Sequence, residues 1–171
     1  MHTPENFQIT LYICRMQQLN LPSCDFRFKN SENKTAVFDE IRKKFVVLTP
    51  EEWVRQHVVN YLHREKNYPK SLINVEKLFR INGLSKRYDV VVFNNDGSIL
   101  ILVECKAPSV RISQATFDQI ARYNLEMKSE LLMVTNGLSH YFCKMDYHAA
   151  RYQFLDALPD YDIVSQKIMT K

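Results

Sequence analysis

The chain has 171 residues, of which 46% are hydrophobic and 25% are charged, and its formal net charge is +4. This length and composition are typical of one globular domain and exclude a disordered or fibrous protein. Only 3 glycines are present, and neither GxGxxG nor GxxxxGK[ST] occurs, which argues against a glycine-rich nucleotide-binding loop. The mildly basic balance permits a nucleic-acid partner without requiring one.

The cysteines indicate a reducing compartment. Cys14, Cys24, Cys105 and Cys143 include no CxxC pair, which favours buried free thiols over structural zinc. No apolar run reaches the roughly 18 residues of a membrane span, and the N-terminus lacks the pattern of a signal peptide. We therefore expect a cytoplasmic protein without a membrane partner.

The first 48 residues predict an N-terminal β extension. Residues 1–20 are compatible with a strand or a helix, because an alternating apolar pattern runs into "ICRMQQL". Two short strand-like runs then flank a polar turn at residues 30–34, and "KKFVVL" predicts another strand at residues 45–48.

The segment "TPEEWVRQHVVNYLHREKNYP" predicts the first long helix. Thr49 fits the N-cap, Pro50 the first helical position and Glu52 the capping-box position. One buried face is predicted by the spacing of four apolar residues, Val54, Val58, Tyr61 and Leu62.

Three strands, a helix and a further strand are predicted to follow. The strands cover residues 73–81, 86–93 and 99–106, and the helix at 113–128 buries Phe117, Ile120 and Ala121, with Leu125 as a further candidate. "ELLMVT" predicts the next strand, "HYFCKM" is compatible with another, and Pro159 argues against a late helix. We predict one α/β domain, a mixed sheet flanked by helices, with an N-terminal extension (1–48), a core (49–146) and a C-terminal tail (147–171).

The stretch "RYDVVVFNNDGSILILVECKAP" predicts a β-hairpin. Asp96 and Gly97 suit a two-residue turn because both positions accept positive φ. A four-residue loop at 95–98 would keep the same pairing. In this register Phe93 lies opposite Leu100 near the turn.

At the far end of the hairpin, the same register sets Asp89 opposite Glu104. Alternation places Asp89 and Val91 on one face with Glu104 and Lys106. Opposed like charges are unfavourable unless neutralised, so the pair predicts a divalent cation such as Mg2+. Lys106 could orient or deprotonate a bound water, or stabilise charge on a phosphate. A solvated strand-end salt bridge is the alternative interpretation.

These residues resemble the PD-(D/E)xK nuclease superfamily. Asp89 matches the first acid of its motif and "ECK" (104–106) matches the E-x-K half, while Tyr88 replaces the proline before the first acid. The core of that superfamily runs helix, three antiparallel strands, helix, strand, which agrees with the predicted order.

Further motifs narrow the resemblance. "QIARY" matches the Q-x3-Y motif through Gln119 and Tyr123, which share one face of the second helix. Together with "LTPEEWVRQ", "VECKAP" and "VTNG", it makes residues 19–146 similar to stand-alone proteins that resemble the N-terminal domain of type I restriction enzyme R subunits.

The resemblance implies a restriction-endonuclease-like fold in a prokaryotic, Mg2+-dependent nuclease that hydrolyses DNA phosphodiester bonds, with Mn2+ as a substitute metal. Asp89, Glu104 and the Cys105 carbonyl oxygen would hold the metal, and Lys106 would act on the attacking water. Glu52 matches the auxiliary acid of the family, and it fits a helix cap with Thr49 equally well.

Other residues have weaker expected roles. Gln119 would position DNA or the catalytic groups, or it is simply a polar residue beside a core face. Tyr123 either contacts DNA or is a packed aromatic, and Glu76 is a further candidate acid. Three basic residues near the site in sequence could contact phosphates: Lys86, Arg87 and Arg111.

Several alternatives stay open at this point. The domain could be a catalytically silent DNA- or protein-binding module, or a nuclease for RNA or for damaged or branched DNA. The chain has no helicase motor, so ATP-driven restriction would need helicase or restriction-system partner subunits. A homodimer is a further candidate assembly.

Overall fold

The computed structural model describes residues 12, 16–31, 34–81 and 84–169, and its strands form two sheets. The first is a three-stranded antiparallel sheet of β1 (Phe28–Ser31), β2 (Lys34–Asp39) and β3 (Lys44–Val47). The second has six strands, β4 (Ile73–Ile81), β5 (Leu84–Phe93), β6 (Ile99–Cys105), β7 (Leu131–Thr135), β8 (His140–Asp146) and β9 (Arg151–Leu155). They lie side by side in chain order, and only β6 and β7 are parallel.

The helices are α1 (Pro50–Asn60), prolonged by a π-helical turn (Tyr61–Glu65), α2 (Gln114–Met127) and α3 (Tyr161–Met169). α1 begins as predicted, because Thr49 Oγ1 accepts a 3.1 Å hydrogen bond from the Glu52 N–H and Pro50 follows the cap. α2 connects β6 to the parallel strand β7, as a crossover helix does. None of the helices in the described part of the chain is long and apolar enough to cross a membrane.

Two hydrophobic clusters lie on opposite faces of the six-stranded sheet. α1 and its π-helical turn supply Val54, Val58 and Leu62 to the first, against which α3 also packs. α2 supplies Phe117, Ile120 and Ala121 to the second. The sheet is therefore the middle of three layers, and the predicted α/β class with its helix, three antiparallel strands, helix, strand order is confirmed.

The segment that contains the three-stranded sheet packs against α1. The ring of Phe26 lies 5.5 Å from that of Trp53 and 4.9 Å from that of His57, both on α1. Gln56, also on α1, donates a 2.8 Å hydrogen bond to Asp39 at the end of β2. The predicted N-terminal extension is thus attached to the helix that begins the core.

The β5–β6 hairpin has the predicted register except near its turn. Val91 lies opposite Leu102, as predicted, but Phe93 lies opposite Ile99 because a β-bulge shifts the register after Val92. The expectation that Phe93 faces Leu100 is therefore wrong, whereas the pairing that leads towards Asp89 is unaffected.

The C-terminal segment is more ordered than the sequence suggested. Residues that we assigned to a tail form β9, which pairs with β8, and Leu158 is 1% exposed in the core. Pro159 precedes α3 and does not prevent a late helix, since proline is compatible with the approach to a helix. Leu125, a candidate for the buried face of α2, is 38% exposed.

Candidate active site

The side chain of Asp89 lies where β5 and β6 separate. The backbone pairs between these strands end at Val90 and Val103. Beyond them, Asp89 Oδ2 accepts a 2.7 Å hydrogen bond from the backbone N–H of Cys105. The N–H and C=O of one strand residue face the same side, so the Cys105 carbonyl oxygen is directed towards the β5 side as well. The first acid of the motif therefore lies against the backbone of the residue between Glu104 and Lys106.

Glu104 and Lys106 form an ion pair at the end of β6. Lys106 Nζ lies 2.8 Å from Glu104 Oε1, and both side chains are partly exposed. Burial alone would lower the pKa of Lys106, but the hydrogen bond to Glu104 and the charges of Glu104, Asp89 and Glu51 raise it above its ordinary value. Lys106 is therefore a stable cation among carboxylates.

Strict alternation predicted that Asp89 shares the face of Val91, and this prediction is wrong. Tyr88 and Val91 both belong to the cluster under α2, so the alternation is interrupted between them. On β4, Glu76 has a φ of 52° at the position opposite Asp89, where the β4–β5 pairing skips one residue pair. This local irregularity turns the Asp89 side chain towards α1, where its Oδ1 lies 2.6 Å from Arg55 Nη2.

Two arginines join the acids of several elements into one network. Arg55 of α1 contacts Asp89 and Glu52. Arg42, in the turn between β2 and β3, lies 2.7 Å from Asp39 and 2.7 Å from Glu52, and 2.8 Å from Glu76. Burial would raise the pKa of Asp39, but hydrogen bonds from the Arg42 backbone and guanidinium hold it below its usual value. The three-stranded sheet is therefore linked to the site by charge.

Glu52 is buried within this network. Its Oε1 accepts hydrogen bonds from Arg42 and Gln56, and its Oε2 accepts one from Arg55. Its backbone N–H is capped by Thr49, as predicted. Glu52 thus lies next to the site, but both of its carboxylate oxygens accept hydrogen bonds from neighbouring side chains.

Sequence analysis did not find the arginines or the neighbouring acid Glu51. Glu51 Oε1 lies 3.3 Å from Arg55 Nη2, a spacing of i and i+4 on α1 that the sequence already contained. Arg42 offered no such signal, because it lies 34 residues from Glu76 in the chain and meets it only in the folded protein.

Gln119 and Tyr123 lie together on α2, as predicted. Both line an open depression on the surface with Arg122 and Glu126. Within the described part of the chain, Gln119 makes no hydrogen bond to Asp89 or to the other carboxylates of the site. The side chain of Tyr123 is 46% exposed, so the packed-aromatic interpretation does not account for it.

The predicted phosphate-contacting residues are only partly described. Arg87 on β5 is 64% exposed and lies 3.9 Å from Glu76, which places it at the rim of the arginine network. Arg111 is exposed in the loop between β6 and α2. The side chain of Lys86 lies outside the described residues.

The oxygen atoms available at this site suit Mg2+ better than they suit a metal ion that binds through side chains alone. Among the described residues, no three His, Cys, Asp or Glu side chains are placed to hold a metal ion. Mg2+, however, uses one or two carboxylates and keeps several waters, and it prefers oxygen donors. Asp89, Glu104 and the carbonyl oxygen of Cys105 are oxygen donors at the ends of β5 and β6, and the buried Arg55 neutralises the charge of Asp89.

Residues 50–159 match the family described as "Type I restriction enzyme R protein N terminus". Two solved structures are similar to the chain. One is a fragment of a proposed HsdR subunit of a type I restriction enzyme from Vibrio vulnificus YJ016, with 20% identity and a TM-score of 0.48, over 72% of this chain and 26% of that one. The other is a proposed nuclease belonging to DUF820 from Anabaena variabilis ATCC 29413, with 12% identity and a TM-score of 0.45, over 80% of this chain and 87% of that one. No curated protein matches the chain.

Proposed function

This chain belongs to the family of type I restriction enzyme R protein N-terminal regions, and from that premise we propose that it is a metal-dependent nuclease that hydrolyses DNA phosphodiester bonds. The observation that carries this proposal is the contact between the Asp89 carboxylate and the backbone of Cys105, with the Glu104–Lys106 ion pair on either side of that residue. Because the chain spans 26% of the Vibrio subunit fragment, the activity of a whole restriction enzyme is not assumed.

Asp89, Glu104 and the Cys105 carbonyl oxygen would hold Mg2+, with Mn2+ as a substitute. When bound, such an ion lowers the pKa of a coordinated water and neutralises phosphate charge. The protein itself would hold the two carboxylates in position. Arg55 and the Cys105 N–H do this for Asp89, and Lys106 does it for Glu104.

Lys106 serves as a charged hydrogen-bond donor in this proposal. Its pKa is raised in the metal-free site by the surrounding carboxylates, so it would carry its proton at neutral pH. An ammonium at this position can orient the attacking water or donate to a phosphate oxygen as negative charge develops. Of the roles that the sequence allowed, these two are therefore favoured over the abstraction of a proton from the water.

Exposed basic residues near the site would contact the DNA backbone. Arg87 and Arg111 are both exposed, and each phosphate contact adds salt-dependent affinity without sequence specificity. A homodimer and partner subunits of a restriction system or a helicase remain predictions.

The test is cleavage by the purified full chain. Supercoiled plasmid, linear duplex, single-stranded DNA and RNA are incubated with Mg2+, Mn2+ or EDTA, and the products are resolved on gels. We expect metal-dependent cleavage of DNA that Asp89→Asn and Glu104→Gln each abolish and that Lys106→Met lowers on the order of 100- to 1000-fold. Asp96→Asn is the matched control, because Asp96 lies in the same hairpin at its opposite end, hydrogen-bonded to Ser98.

Three outcomes would overturn the proposal. Cleavage that persists in EDTA excludes the metal, and cleavage unchanged in Asp89→Asn excludes the assigned site. If none of the substrates is cut with either metal, the chain is a silent binding module, which a filter-binding assay on the same DNA then establishes. Cleavage of RNA alone would replace DNA as the substrate class.

A further inference from the structure

Aromatic side chains form an exposed patch where β8 and β9 lie beside α2. The ring of Phe117, on α2, lies 5.1 Å from that of Phe154 on β9 and 6.2 Å from that of Tyr141 on β8. Tyr152, also on β9, lies 5.2 Å from the same ring. Tyr141 is 37% exposed and Phe154 is 47% exposed. We call Tyr141, Tyr152 and Phe154 the aromatic patch, and neighbouring rings left at the surface indicate that a ligand covers them.

α2 holds the patch in a fixed geometry. The Tyr152 hydroxyl donates a 2.8 Å hydrogen bond to Asp118 Oδ1 and accepts one of 3.1 Å from Gln114 Nε2. The Phe154 ring lies at 80° to that of Tyr152, with 5.4 Å between their centroids. A ligand that stacks on Phe154 would therefore meet a surface already in place, which lowers the entropy cost of binding.

Strand pairing connects the patch to the candidate active site. Glu104 on β6 lies opposite Val134 on β7, and Val134 lies opposite Tyr141 on β8. Residues paired in this way point to the same face of a sheet, and Val134 shares the cluster of Phe117 on the α2 face. Since neighbouring strands are about 4.8 Å apart, the backbone of Tyr141 lies roughly 10 Å from that of Glu104, the length of about three stacked nucleotides.

A positively charged residue lies at the same end of the sheet. Arg111 is exposed in the loop between β6 and α2. That loop is held beside the end of β7, because Asn136 Nδ2 donates a 2.8 Å hydrogen bond to the Val110 carbonyl. Exposed rings in the vicinity of a cation favour single-stranded nucleic acid, since bases stack on the rings while the cation contacts a phosphate. Bases inside a duplex cannot reach such rings unless they leave the stack.

We propose that the aromatic patch binds unpaired bases of DNA close to the phosphate that reaches the candidate active site. This inference rests on the proposed function for its choice of DNA, and it names the form of DNA that the same site takes. Phe154 provides the stacking surface, Tyr141 extends it towards Glu104, and Arg111 contacts the phosphates between them.

The experiment measures binding without cleavage. The full chain is titrated in EDTA into three fluorescent DNAs, and their anisotropy is followed: an oligothymidine, a duplex of the same length, and that duplex with an internal unpaired loop. We expect the unaltered protein to bind the oligothymidine and the looped duplex more tightly than the plain duplex. Tight binding to the oligothymidine alone would restrict the ligand to single strands.

Two substitutions at residue 154 separate stacking from packing. Phe154→Leu still covers Phe117 but has no ring face, and it should weaken binding of the oligothymidine by about 5- to 100-fold, as loss of one stacked base does. Phe154→Trp keeps a ring face and should retain the affinity. The control is Ile163→Ala, which removes an apolar side chain that is 53% exposed on α3, away from the α2 face, and should bind as the unaltered protein does.

Tryptophan fluorescence gives a second readout that does not depend on Phe154→Leu. The chain has 1 tryptophan, Trp53 on α1, so the added emission of Phe154→Trp reports on the patch. Stacked thymine should quench this emission, whereas the emission added by Ile163→Trp should not change with the same DNA.

The outcomes separate this inference from the proposed function. Equal affinity for the three DNAs, full affinity in Phe154→Leu, or unquenched emission of Phe154→Trp at saturating oligothymidine would each overturn the inference while the nuclease proposal stands. If the chain binds as expected but cuts none of the substrates, the nuclease proposal fails and the patch remains a site for unpaired DNA bases.

Discussion

The Asp89 carboxylate contacts the Arg55 guanidinium at 2.6 Å, so a strand-end acid of β5 is neutralised by a cation from α1. Arg55 is 6% exposed, and its Nε is buried without a hydrogen-bond partner in the described part of the chain. A buried ion pair of this kind adds little net stability by itself, but removing one partner leaves an uncompensated charge.

Arg55→Met should therefore lower the free energy of unfolding by about 3–5 kcal/mol, because Asp89 and Glu52 would lose their shared cation. Arg87→Met is the matched control: it removes the same charge from a side chain that is 64% exposed and lies 3.9 Å from Glu76, and its effect should be below about 1 kcal/mol. Urea unfolding of both variants measures the difference. Equal losses in the two variants would contradict the role of Arg55 as the buried cation shared by Asp89 and Glu52.

Cys105→Ala tests whether the thiol or the backbone of this residue belongs to the site. The side chain of Cys105 is fully buried in the cluster on the α1 face, while its backbone faces Asp89. We expect a loss of about 1 kcal/mol in stability from the smaller core side chain and an unchanged affinity for Mn2+. A large drop in Mn2+ affinity, measured by calorimetric titration, would instead assign the metal to the sulfur.

Gly137→Ala should destabilise the protein more than Gly97→Ala does. Both glycines have positive φ, 82° and 84°, which disfavours alanine by about 1 kcal/mol. A Cβ at residue 137 would also come within 2.7 Å of Leu19 and 3.1 Å of Val54, whereas at residue 97 nothing lies within 4 Å. We expect an additional loss of about 1–3 kcal/mol for Gly137→Ala in thermal unfolding. Similar losses in the two variants would show that Leu19 moves aside freely.

Stability should fall as the pH drops below about 6.5, the ordinary pKa of histidine. Burial lowers the pKa of His57, although its hydrogen bond to the Trp53 carbonyl opposes this, and burial likewise lowers the pKa of His140. Below the unfolded pKa, the unfolded chain then binds more protons than the folded one, so the stability present at higher pH is progressively lost.

Chemical unfolding between pH 5 and 7.5 measures this effect. His57→Gln should reduce the slope of stability against pH over this range, and His148→Gln, at an exposed turn, should leave it unchanged. A slope that His57→Gln does not alter would assign the pH dependence to other groups.

Local sequence determined much of the fold. The capped helix at Thr49 and Pro50 forms as predicted, since capping acts over a few residues. The hairpin turns where it was predicted to, but Asn94 and Ser98 close a three-residue loop in which Gly97 has a positive φ and Asp96 does not, so the predicted two-residue turn is wrong. Beyond the bulge, the predicted register holds from Val92 to Val90, so the sequence could also indicate that Asp89, Glu104 and Lys106 lie near each other.

Only the tertiary structure decided how those residues are held. The bulge after Val92 and the positive φ of Glu76 are local irregularities that no periodic pattern contains. Of the two acids at the start of α1, the sequence pointed only to Glu52 and not to Glu51. The surroundings of Glu51 and Glu52 differ because Arg42, in the turn between β2 and β3, contacts Glu52. Such contacts between residues distant in the chain depend on how whole elements pack. The acids and the lysine of the candidate site could thus be identified from a short motif, whereas packing set the balance of charges around them.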